Sequence, residues 1–103
     1  MWKAARTMKT HEYPAAVMEE ILFQKKDGFH LLDVDLWDFP LSNQYLLTFE
    51  KEFDPAKTVR VVNLEDFYFD HRVVYHGMVE MSASRFRHVA RVLAEREAEK
   101  KGA

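Results

Sequence analysis

The sequence has no cysteine among its 103 residues, which excludes a disulfide framework and any thiolate metal site. Glycine and proline occur three times each. The glycines are isolated, so there is no glycine-rich loop to cradle phosphate, and no Gly- or Pro-rich linker divides the chain. No apolar run reaches the roughly 18 residues that a membrane-crossing helix needs. The opening MWKAARTMK is basic but lacks an apolar segment, so it does not read as a secretory signal. Met8 followed by Lys9 offers a second start, with residues 1–7 as a leader. By elimination these absences point to a cytoplasmic protein without a membrane partner.

What is present suits one folded unit. Hydrophobic residues make up 48% and aromatic residues 14% of the chain, too apolar a composition for disorder. A chain of this length buries roughly 65% of the surface it exposes when unfolded. The expected organisation is a flexible basic segment over residues 1–9, a single α+β domain over 10–98 and a frayed tail over 99–103.

Residues 14–27, PAAVMEEILFQKKD, read as a helix. Pro14 suits its first position, Lys25 and Lys26 suit its C-terminal dipole, and Gly28 suits the stop. The period then changes to two. Leu32, Val34 and Leu36 fall on one face of a strand, with Asp33, Asp35 and Trp37 on the other. PLSNQ breaks the chain. A second strand follows, with Tyr45, Leu47, Phe49 and Phe53 on one parity and Leu46, Thr48, Glu50 and Glu52 on the other; the short join predicts a hairpin. Residues 58–62 read as a third strand and 71–82 as a fourth. Residues 63–70 fit a helical turn as well as a strand, because Asn63 followed by Asp66 resembles a helix cap. A last helix from about residue 83 carries Phe86, Val89, Ala90 and Leu93 as its inward stripe. The order α-β-β-β-β-α predicts a roughly four-stranded antiparallel sheet with both helices on one face.

Catalytic signals are weak. His71 and His76 are an odd number of residues apart, which places them on opposite faces of a regular strand. His76 and Glu80 share a parity but lie about 13 Å apart along a strand, too far to hold one ion. Asp33 and Asp35 stand about 6.6 Å apart on one face, a span that a divalent ion could bridge. No third ligand accompanies them by spacing, and paired acids are ordinary on a solvated strand face. No catalytic residue, metal or cofactor is therefore expected. Gly77, alone in a strand, suggests a bulge or a place where a helix lies close.

Charge layout is more informative. The net charge is −2. Residues 1–9 hold Lys3, Arg6 and Lys9 without an acid, and residues 82–103 hold six cations against three glutamates, so the body, 10–81, carries −8. Asp33, Asp35, Glu50 and Glu52 share the outward parity with Trp37. A sheet face mixing carboxylates with an aromatic suits docking on a basic protein surface. The expected function is a small non-catalytic binding module of the inhibitor or immunity type, covering the basic groove of a nucleic-acid-handling enzyme. The alternative is nucleic-acid binding through Arg85, Arg87, His88 and Arg91 at the start of the last helix, although the acidic body opposes it. Arginines at a helix start are unfavourable beside the positive dipole end. Carboxylates of the body, or of a second copy in a homodimer, are expected to answer them.

Overall fold

The computed structural model describes residues 6–70 and 72–102, with backbone alone at residues 97 and 100–102. Five antiparallel strands form one sheet in sequence order. They are β1 (Arg6–Thr7), β2 (Phe29–Asp38), β3 (Ser42–Lys51), β4 (Val59–Phe67) and β5 (Val73–Met81). A short 3-10 turn, Thr10–Glu12, leads into helix α1 (Ala15–Lys26), and helix α2 (Ala83–Gly102) follows β5. The α+β class and the order of the main elements are as expected, with β1 as an added strand.

Local chemistry explains the boundaries. Pro14 precedes α1, and its carbonyl accepts the first helical bond, from the Met18 amide at 3.1 Å. The helix ends at Gly28, whose φ of +85° is a left-handed conformation that glycine adopts without a Cβ penalty. The β2–β3 hairpin closes over residues 39–41, where the Phe39 amide bonds the Ser42 carbonyl at 2.9 Å. In the β3–β4 turn, Asp54 accepts from the amides of Ala56 and Thr58 and from the Thr58 hydroxyl. Those bonds, the Thr58 hydroxyl's foremost, hold the Asp54 carboxyl below its ordinary pKa.

Helix α1 lies on β2 and β3 and defines the inner face of the sheet. Its Val17 and Gln24 are buried, as are Phe29, Val34, Tyr45, Leu47, Phe49, Val62 and Leu64. Each large apolar side chain so buried contributes about 1.5–3 kcal/mol. The strand register keeps these residues in rows, Leu31 opposite Phe49, Val34 opposite Leu47 and Leu36 opposite Tyr45.

Several expectations are corrected. A bulge between Leu31 and Asp33 resets the parity of β2, so Leu31 faces inward and Leu32 stays exposed. Phe53 is fully exposed because the chain has left β3 and turned through a φ of +58°. Residues 63–67 continue β4, held by β3 on one side and β5 on the other. Of the segment expected to be flexible, Arg6 and Thr7 pair with β2, and Met8 is buried with its amide bonded to Val34; residues 1–5 lie outside the described residues. Of the tail expected over 99–103, residues 99–102 belong to helix α2, and residue 103 lies outside the described residues.

Helix α2 contributes least to the core. The Ser82 hydroxyl accepts from the Arg85 amide at 3.3 Å and caps its start. None of its described side chains is buried. Ala83, Phe86, Val89 and Val92 are half-buried, while Ala90 and Leu93, expected on the inward stripe, are exposed. The inner face is thus covered by α1, with no extensive packing by α2.

Candidate functional site

The face of the sheet opposite α1 gathers the expected residues. Cross-strand pairs place Asp33 beside Thr48, Asp35 beside Leu46, Trp37 beside Gln44 and His30 beside Glu50. The next pairs add Gln44 beside Glu65 and Thr48 beside Val61. No lysine or arginine of β2–β5 is on this side in the observed register. Asp33 is exposed, and Asp35, Trp37 and Glu50 are half-buried. Glu52 lies just past β3, exposed, with a carboxylate oxygen 3.8 Å from His30 Nδ1. The hydroxyl of Thr7 donates to Asp35 at 3.0 Å, which fixes that carboxylate from β1.

Sequence reasoning missed the rest of this face. Glu65 is half-buried there, with 14% of its side chain accessible. One oxygen accepts from the Ser42 hydroxyl at 2.5 Å and lies 3.5 Å from Gln44 Nε2; the other is 2.6 Å from His76 Nε2. The Ser42 hydroxyl chiefly, then His76 and Gln44, hold the Glu65 carboxyl below its ordinary pKa against the opposing effect of burial. His76 reaches this face because the β4–β5 register shifts beside Asn63, with Gly77 at a φ of +128°. The bulge signalled by Gly77 is therefore present. It separates His76 from Glu80, which lies on the inner face opposite Arg60 and bonds it there.

The Ser42–Glu65–His76 arrangement is not a nucleophilic set. The serine hydroxyl donates to the carboxylate and not to the imidazole, so no histidine base is aimed at it. A carboxylate held below its ordinary pKa is also a weak base. Among the described residues no three His, Asp or Glu side chains converge to hold a metal. The geometry provides hydrogen-bond acceptors and negative charge on a rigid face.

Arg85, Arg87, His88 and Arg91 are exposed on the first half of α2. An Arg91 guanidinium nitrogen lies 3.1 Å from His88 Nδ1. Among the described residues no carboxylate ion-pairs with these arginines. No acid precedes Glu95 in the helix, and among the described residues no carboxylate of the body comes within ion-pair distance of these arginines; of the two expected sources of acid, the second copy is the one this leaves open.

No family model, characterised protein or solved structure matches the chain. No helix among the described residues is long and apolar enough to cross a membrane.

Proposed function

We propose that this protein is a non-catalytic binding module that docks its outer sheet face, Asp33, Asp35, Trp37, Glu50 and Glu52 with Glu65, on a basic protein surface. The groove of a nucleic-acid-handling enzyme is the kind of surface it would block, as an inhibitor or immunity-type protein. The observation that carries the reading is the row of same-sign charges on a hydrogen-bonded sheet, beside a half-buried tryptophan and without an intervening lysine or arginine. Rigid strands spare the entropy of ordering a loop on binding. Carboxylates arrayed on such a surface imitate the charge of a phosphate backbone, which steers a cationic partner and suppresses like-charged ones.

A small basic nuclease serves as the probe in a calorimetric titration at several salt concentrations. Charge reversal at Asp35 and at Glu50 should each weaken binding by about 10- to 100-fold and flatten its salt dependence. Unchanged affinity in both variants would remove this face from consideration.

A second reading is favoured by the arginines of α2, whose charges have no acidic partner among the described residues. On that reading the helix contacts nucleic-acid phosphates, and replacing Arg87 and Arg91 by Gln should abolish low-salt oligonucleotide binding. The −8 body argues against it, and we expect no oligonucleotide binding in the parent protein.

A further inference from the structure

The inner face of the sheet is only part-covered. Helix α1 lies on β2 and β3, and the β5 end of that face is open. A groove of about 420 Å³ runs there between α1 and β5. Its apolar walls are Phe23 from α1 and Tyr75 and Met78 from β5, exposed by 66%, 53% and 41%. Glu20, Asp27 and Arg60 supply its charge. The Arg60 guanidinium is already committed: it bonds Asp27 at 2.5 Å, Glu80 at 2.9 Å and Gln24 at 3.0 Å, and lies 3.9 Å over the Phe29 ring. Those two carboxylates, with Glu20, which accepts from Gln24 at 2.9 Å, leave the groove net acidic.

The complement of this groove is on the same chain. The first half of α2 is cationic, with Arg85, Arg87 and Arg91 and no acid before Glu95. Beside them Leu93 is 56% exposed, and Phe86 and Val89 are half-buried. None of these side chains lines the chain's own groove. We infer that the protein forms a two-fold homodimer in which α2 of each copy lies in the α1–β5 groove of the other, its arginines against Glu20 and Asp27 and its exposed Leu93 on Phe23, Tyr75 and Met78. A two-fold axis beside the edge strand β5 makes both joints at once, since an isologous interface uses the same two patches twice. The apolar walls supply burial, and the opposed charges set orientation. The same contact answers the arginines that have no acidic partner among the described residues.

Sedimentation velocity over a concentration series tests the inference. The parent should be dimeric by about 200 µM, and Phe23→Asp and Leu93→Asp should each raise the dissociation constant at least about tenfold. Both sites are exposed, so near-ultraviolet circular dichroism should be unchanged in the monomeric variants. Glu20→Arg and Arg87→Glu should each weaken self-association, while a mixture of the two variant chains should associate as the parent does, because each groove then faces a helix of opposite charge. A monomeric parent at the highest concentration overturns the proposal. So does a dimer indifferent to Phe23→Asp and Leu93→Asp, which would indicate pairing of β5 edges, and so does a mixture no tighter than its separate components.

Discussion

Glu65 ties three strands together through two oxygens, accepting a hydrogen bond from the Ser42 hydroxyl on β3 and meeting His76 on β5. Its carboxyl is held below its ordinary value of about 4.3. The folded chain therefore protonates this carboxylate less readily than the unfolded one does. The stabilisation is present above the ordinary value and is lost as pH falls through the folded value. Glu65→Gln keeps the shape and removes the charge. It should cost about 1–2 kcal/mol at neutral pH, and the gap from the parent should narrow as pH falls below the ordinary carboxylate value and close once pH is below the lower folded value. Denaturant melts at several pH values check this; a gap that persists undiminished in strong acid would show that the charge is not what matters. Period two sufficed to place Asp33, Asp35, Trp37 and Glu50 on one face. Glu65 escaped because its stretch carries a cap-like Asn63–Asp66 spacing, and nothing local shows that β3 and β5 will satisfy its backbone from both sides. His76 is not legible from alternation because the bulge beside Gly77 shifts the parity of β5 there.

Bulges govern the elements. Gly77, an isolated glycine inside β5, was a readable signal, whereas the bulge at Leu32 involves no glycine or proline and left only a run of apolar residues that fits either parity. A Cβ on Gly77 would meet no atom within 4 Å, so the obstacle to a side chain there is the φ of +128° alone. Gly77→Ala should therefore destabilise by about 1–3 kcal/mol through backbone strain, without a packing clash. It should also disturb the His76–Glu65 contact, read as a change in the His76 imidazole resonances. A variant as stable as the parent would mean that the bulge relaxes to a regular ladder at no cost. Such a ladder would return His76 to the face of Glu80, the arrangement that unbroken alternation implies.

Across the whole molecule, order is uneven. The buried residues belong to α1, β2, β3 and β4 with Met8 beside them, and no described side chain of β5 or α2 joins them. Helical spacing made α2 legible as a helix. It could not reveal that Ala90 and Leu93 would stay exposed, because an apolar stripe records that a surface is to be covered and not which chain covers it. Helix α2 is held chiefly by its cap and by one half-buried flank, and an isolated helix is marginal in water even at 20 residues. Native-state hydrogen exchange at concentrations too low for association should then show a gradient. Amides of β3, central in the sheet, should open only with global unfolding, at about 5–15 kcal/mol. Those of α2 should open locally at far lower free energy, with protection factors at least about 100-fold smaller. Raising the protein concentration should slow exchange in α2 and leave β3 unchanged, since association stabilises only what it covers. Amides of α2 as protected as those of β3 in the dilute protein would place the helix firmly on its own sheet, and the α1–β5 groove would then need a different occupant.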